Sequence, residues 1–458
     1  MDRTVRPGAA SGDQLSDPPV PHAPAGGAPV AVDAFEEFVR RPMPRWALLR
    51  QRMEVAEVGN VAEAVAGALR PMAALVPSGS RVCLAVGSRG IDRIDEVVRA
   101  VVAWLHAAGA DVFVVPAMGS HGGATAAGQI GVLASLGMTS ESIGCEIRSG
   151  METVELGEVR PGVPAFIDRI AFESANVIVP INRVKPHTDF SGEIESGLMK
   201  MFAVGLGKQR GADTLHRQGF ATFRDLIPEA AEFIAARAKI PFGLALVENG
   251  YARLSLVEAV PAAEMRRRER ELLALARERM PRLPFSAIDV LILDRIGKDV
   301  SGLGMDSNVV GRYYAGPTGE EPSIQRIVVR DLTDATEGNA VGIGLADVVL
   351  ERAVRKMDAV KTYLNSITAK TPEGSRIAIT MPDDRTALAI ALACCVGIES
   401  SDARIVRAPD TKHLDLLWVS EPAIAAALET GRCEVVREPA PIRFDRRGML
   451  ADGWDSAR

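Results

Sequence analysis

Arg81-Val-Cys-Leu-Ala-Val86, followed at once by Gly87-Ser-Arg-Gly90, decides the fold class. A short apolar run that stops at a glycine predicts a strand buried on both faces, as in a parallel sheet. Downstream, Asp95 to Ala108 carries Val97, Val98, Val101, Val102 and Leu105 at helical spacing and ends at Gly109. Asp111 to Val115 predicts a second strand, and Thr125 to Leu136 a second helix that stops at Gly137. Asn176 to Ile181 and Phe242 to Val247 predict two more buried strands. Strands alternating with helices imply parallel pairing through right-handed crossovers, hence an α/β fold.

The alternation breaks at Glu264-Met-Arg-Arg-Arg-Glu-Arg-Glu271 and the prolines at 281 and 284. Arginines interleaved with glutamates predict a helix with a solvated face. The pattern restarts with Ile288 to Leu293 and continues through strands at Ile327 to Val329 and Arg376 to Thr380. Helices are predicted near 340–357, 384–396 and 421–429. These signals divide the chain into two α/β domains, 33–284 and 285–458, with mainly parallel sheets and an active-site cleft between them. Residues 1–32 hold six Pro, four Gly and six Ala without apolar periodicity, which predicts a disordered tail. The tail also lacks the apolar core of a signal peptide.

Composition narrows the function. With 53 Lys and Arg against 59 Asp and Glu, the net charge is −6, so no basic face is expected to track nucleic acid. No apolar run reaches 18 residues, so no membrane span is predicted. Five Cys without a CxxC predict reduced, buried thiols in a cytoplasmic protein.

Three of the six His fall in loops that follow strands, where open parallel sheets place their ligands. His121 lies in Pro116-Ala-Met-Gly-Ser-His-Gly-Gly-Ala-Thr125, whose glycines let the backbone approach a ligand and whose Thr125 can cap the next helix. His187 lies in Asn182-Arg-Val-Lys-Pro-His-Thr-Asp-Phe-Ser-Gly192, a concentration of hydrogen-bonding types rarely needed by a structural loop. His216 follows Lys200 by sixteen positions. Lys200 sits among Leu198, Met199, Met201 and Phe202, where an amine tends to lose its proton, although a snorkelling lysine would look the same. Arg89, beside Ser88 on another strand-to-helix loop, suits a carboxylate through its planar fork. Gly205-Leu-Gly-Lys-Gln-Arg-Gly211 has GxGxxxG spacing but no preceding strand, so it is a weak nucleotide signal. His106, His413 and the tail residue His22 have structural or solvent roles on this reading. Two imidazoles facing one carbon, with an Arg for a carboxylate, make the layout of a racemase. The carbon-bound hydrogen of a 2-hydroxy acid is too weakly acidic for imidazole alone, so a cofactor must act as the sink.

From about Arg81 to Phe220, and most clearly in VGSRG, PAMGSHGGAT and NRVKPHTDFSGEIESGLMKM, the chain resembles the nickel-dependent lactate racemase family. That resemblance implies a racemase or epimerase of a small 2-hydroxy acid, working by hydride transfer to a nickel-pincer nucleotide. It makes His121 and His187 the acid–base pair and Lys298 a further catalytic group from the second domain. Arg89 and Ser88 would bind substrate. Lys200 would hold the cofactor, with Lys208 as the alternative, beside Ser191 and Gly192, and His216 would bind nickel. The chain departs from the family at Val86 and Ser88, where an Asp and a Thr are usual, and in Ser191-Gly-Glu-Ile-Glu-Ser-Gly197, which is about three residues longer. The implied partners are the 2-hydroxy acid and the proteins that build the cofactor, and a homo-oligomer is compatible with it. A non-racemising lyase or dehydrogenase, or a binding protein that has lost catalysis, are the alternatives.

Overall fold

The computed structural model describes residues 32–53, 55–88, 90–314 and 321–454. The expected tail therefore lies outside the described residues, apart from Val32, and so does Arg89.

The strands of the first half are β1 (Arg45–Gln51), β2 (Arg81–Val86), β3 (Asp111–Pro116), β4 (Glu146–Ile147), β5 (Thr153–Arg160), β6 (Val163–Asp168), β7 (Val177–Arg183), β8 (Phe242–Glu248) and β9 (Leu254–Pro261). Those of the second half are β10 (Ala287–Leu293), β11 (Ser323–Val329), β12 (Val348–Leu350), β13 (Ile379–Met381), β14 (Ile405–Ala408), β15 (Leu416–Ser420) and β16 (Cys433–Pro441). Among the described residues they form a six-stranded sheet ordered β4-β3-β2-β7-β8-β9, an eight-stranded sheet ordered β13-β12-β11-β10-β14-β15-β1-β16, and the β5-β6 hairpin. The first sheet is parallel except for β9. The second is parallel from β13 to β14 and antiparallel beyond. The fold is a mixed α/β one with mostly parallel strands.

The apolar runs explain the layers. On β2, Val82, Leu84 and Val86 pack into one cluster with Val97, Val98, Val101 and Leu105 of the helix Ile94–Ala107. Cys83 and Ala85, pointing the other way, pack with Phe202, Phe223 and Ile227. Both faces of the strand are covered, so an unbroken apolar run fits it better than an alternating one. On β10, Ile288 and Leu291 enter one cluster while Val290 and Ile292 enter another.

Four features differ from the pattern read in the sequence. Residues 45–51, expected in the first domain, supply β1 to the second sheet, between β15 and β16. The helix expected near 340–357 is confined to Glu351–Lys356 and preceded by β12. Gly342 has φ +101° and no room for a side chain against Leu303 O, which ends any helix there. The charged helix runs on to Arg279, and its Glu269 is only 1% exposed. The strand near 376–380 begins at Ile379. The cysteines are unpaired; Cys83 is buried and the others half-buried.

Trp46 on β1 is fully buried and stacks on Trp418 of β15 with ring centroids 5.1 Å apart. Removing a buried indole typically costs about 3–5 kcal/mol. Trp46→Ala should therefore shift the denaturation midpoint by a corresponding amount, read by circular dichroism. A shift below about 1 kcal/mol would mean that β1 is not an integral strand of the second sheet.

Candidate active site

Strand order reverses at two places. In the first sheet β2 and β7 are neighbours whose crossovers leave in opposite directions; in the second, β10 and β14 are. Ligands of open parallel sheets bind outside the carboxyl ends of such pairs. Here both openings face one cavity of about 260 Å³. Its lining comes from the loops after β2, β3, β7 and β10, from the helix Leu198–Lys200 with its continuation to Phe220, and from Val341 and the helix Ala359–Ala369. A smaller cavity of about 70 Å³ adjoins it, sharing Arg183, Lys185 and Asp299 and reaching Thr411 and Lys412 beyond β14.

The large cavity brings together Ser88, His121, His187, Lys200, His216 and Lys298. Ser191 is exposed and Gly192 spends its N–H on Glu195, and neither lines the cavity. Lys208 does not line it either. Its side chain is fully buried, with Nζ 2.9 Å from Asp168 Oδ2. Of the two lysines weighed as cofactor anchor, only Lys200 reaches the cavity. His106 is exposed on its helix, and His413 pairs with Asp410 at 2.9 Å.

Each imidazole has a defined partner. His121 Nδ1 shares a hydrogen bond with Ser88 Oγ. His187 Nδ1 accepts the N–H of Asp189 at 3.0 Å, which puts the proton of the neutral ring on Nε2. Its backbone is fixed at both ends. Glu195 Oε2 accepts the His187 N–H at 2.7 Å, and Asn308 of the second half donates to the His187 carbonyl at 3.0 Å. Glu195, 2% exposed, also accepts the Gly192 N–H at 2.9 Å and pairs with Arg277. Lys185 Nζ lies 2.8 Å from Asp306 Oδ2, a second tie between the halves. Burial alone would raise the Asp306 carboxyl, but Lys185 and the bonds from Asn308 outweigh it and hold it below its ordinary value.

His216 is directed by its own helix. Its Nδ1 is 2.6 Å from the Ala212 carbonyl, so that nitrogen carries the hydrogen and Nε2 keeps its lone pair. Burial, reinforced by the charge of Lys200 and opposed by the Ala212 bond, pulls its pKa down to about 4. A neutral imidazole with one N–H given to a carbonyl is the usual state of a metal ligand. Lys200 Nζ stands 5.7 Å from the Phe190 ring centroid. Lys298 donates to the Gly302 carbonyl at 2.6 Å. Among the described residues no group of three His, Cys, Asp or Glu could hold a metal by itself.

Glu269, Glu195 and Gln129 were not singled out in the sequence. Glu269 projects from the charged helix onto the start of the segment that carries Lys200, accepting the Met199 N–H at 3.0 Å. A Cβ on Gly197 would come within 2.4 Å of its carboxylate, so any side chain there would have to displace Glu269. The only signal available was a glutamate at a position facing inward on an otherwise charged helix.

No family model matches the chain, and no curated protein matches it significantly. Among solved structures, the chain is similar to the lactate racemase apoprotein from Thermoanaerobacterium thermosaccharolyticum, at 14% identity over 82% of this chain and 94% of that one, with a TM-score of 0.48. At that identity and superposition the likeness carries no weight for the chemistry. Among the described residues no helix is long and apolar enough to cross a membrane.

Burial raises the Glu269 pKa to about 7, with the Met199 and Leu198 N–H groups opposing the rise. An acid raised in the folded state keeps its proton where the unfolded chain has lost it. Stability therefore falls as pH rises from about 4.5 to about 7, and the cost is complete above that. Glu269→Gln should remove on the order of 3 kcal/mol of the stability difference between those limits. Urea unfolding at both pH values checks it, and an unchanged difference would mean that the carboxyl is ionised throughout.

Proposed function

We propose that the chain is a racemase or epimerase of small 2-hydroxy acids, working with a nickel-pincer nucleotide in the cleft between two α/β domains, 33–284 without β1 and 285–458 with it. One observation carries the reading: Ser88, His121, His187, Lys200, His216 and Lys298, remote in sequence, line one cavity. The residues fit the group. Lys200 offers an amine at the cavity wall, and His216 offers an Nε2 lone pair with its proton already committed to Ala212. When bound, the group supplies the sink for the hydrogen and electron pair that leave the carbinol carbon.

The side chains handle the rest. Arg89 binds the substrate carboxylate by its fork, and Lys298, held at the Gly302 carbonyl, adds a second cation. His121 and His187 move the hydroxyl proton. The imidazole whose Nε2 is unprotonated takes it as the carbinol carbon becomes trigonal; the one with Nε2–H returns it. His187, with Nδ1 occupied by the Asp189 N–H, starts as the donor. His121 starts as the base when its Nδ1 hydrogen is given to Ser88 Oγ. Return of the hydrogen to the opposite face of the trigonal carbon gives the other enantiomer. The protein acts in the cytoplasm, with the 2-hydroxy acid and the cofactor-building proteins as its partners, and as a homo-oligomer where copies associate.

Protein produced alongside cofactor-building proteins should convert one enantiomer of a 2-hydroxy acid into the other, followed by chiral chromatography. His121→Ala and His187→Ala should each lower kcat by about 10²–10⁴. Mass spectrometry should find the adduct on the Lys200 peptide, and Lys200→Ala should abolish it. His216→Ala should keep the adduct and lose nickel. Turnover by protein without any lysine adduct would remove the pincer-cofactor reading.

A further inference from the structure

Lys208 is a fully buried charged residue that the proposed chemistry leaves unused. Its side chain has 0% exposure, and its backbone sits at φ +52°. A buried cation is retained only when it is paired, and a non-glycine residue holds a left-handed conformation only where its surroundings enforce it. Besides Asp168, the ammonium donates to the Pro116 carbonyl at 2.5 Å and to Gln129 Oε1 at 3.1 Å. An ammonium can only donate, so it fixes which end of the Gln129 amide faces it. The other end, Nε2, then donates to the Gly119 carbonyl at 2.9 Å and to the His121 carbonyl at 3.3 Å.

Pro116 ends β3, and residues 117–121 form the loop that delivers His121 to the cavity. One ammonium therefore holds this loop at its start directly and at Gly119 and His121 through Gln129. The loop needs such support, because Gly119, Gly122 and Gly123 all have positive φ and supply little stiffness of their own. Gly205 supports it from below: its carbonyl accepts the Gly119 N–H at 3.1 Å, and a Cβ there would meet Ala117 O at 2.6 Å. The GxGxxxG motif thus begins with a glycine packed under the His121 loop.

We propose that Lys208, acting through Gln129, is the positioning element of His121. It touches neither cavity and so is neither an anchor nor a catalytic residue. Its consequence for turnover rests on the racemase reading, whereas its ordering of the loop does not.

Lys208→Met leaves Asp168 buried without its cation, and that protein is expected to fold poorly. Gln129→Glu is the discriminating variant. It keeps the shape and an acceptor for Lys208 but turns an oxygen, in place of the amide donor, onto two carbonyls. Hydrogen exchange in the protein without cofactor reads the loop, because the Gly119 and His121 N–H groups are themselves hydrogen-bonded to Gly205 and Met118. Exchange over 117–124 should speed at least about tenfold while β2 stays protected. In the loaded enzyme kcat should fall about tenfold with KM little changed, as for loss of an interaction that matters in the transition state. Unchanged exchange over 117–124, or faster exchange spread over the whole sheet, would overturn the proposal. So would full turnover with a mobile loop. A mobile loop in a protein whose wild type turns over nothing would leave the positioning role standing and count against the racemase reading alone.

Discussion

Parallel strands send their crossovers out at one edge of a sheet, and here both sheets turn that edge toward the same space. The reversal of strand order between β2 and β7 opens one crevice, and the reversal between β10 and β14 opens another. Neither sheet alone makes the site. The first supplies His121 and His187, and the second closes the space with residues 298–303. Every other placement follows from this edge-to-edge arrangement.

Loops at such an edge must be polar enough to do chemistry and short of the packing that would stiffen them. The protein answers with a buried carboxylate behind each loop, paired with a cation behind two of them. Lys208 and Asp168 stand behind His121, Glu195 with Arg277 behind His187, and Glu269 behind Lys200. A buried charge is costly unless paired and hydrogen-bonded, so Asp168 and Glu195 hold a single geometry with their cations. The same helix, Met265–Arg279, illustrates the contrast. Arg267 and Glu271 pair on its exposed face, where solvent screens them, while Glu269 and Arg277 fix the loops.

Much of this was legible from residue order alone. Strands buried on both faces announce themselves as apolar runs, and β2, β3, β7, β8 and β10 fall within one or two residues of their predicted spans. The chemical residues were legible because unusual side chains stood directly after those strands. The membership of β1 was not, since a strand's own pattern does not say which sheet will pair with it. The supporting residues were hidden for the same reason. Gln129 and Lys208 are 79 positions apart, and Glu195 and Arg277 are 82 apart. Their meaning lies in tertiary pairing that no local spacing encodes.

The two candidate lysines show where periodicity fails. On an unbroken α-helix, positions 200 and 208 would lie about 80° apart, on adjoining faces. The chain between them is not such a helix. Met201–Gly205 is a π-helical segment, and Lys208, the first residue of the next helix, has a left-handed φ. A π segment inserts an extra backbone step per turn without altering the apolar or polar character of its residues. Nothing in Met-Phe-Ala-Val-Gly distinguishes it from an α-helical stretch. That wider segment, with the turn at Lys208, sends Lys200 into the cavity and Lys208 into the core. Backbone geometry gives two lysines eight positions apart opposite roles.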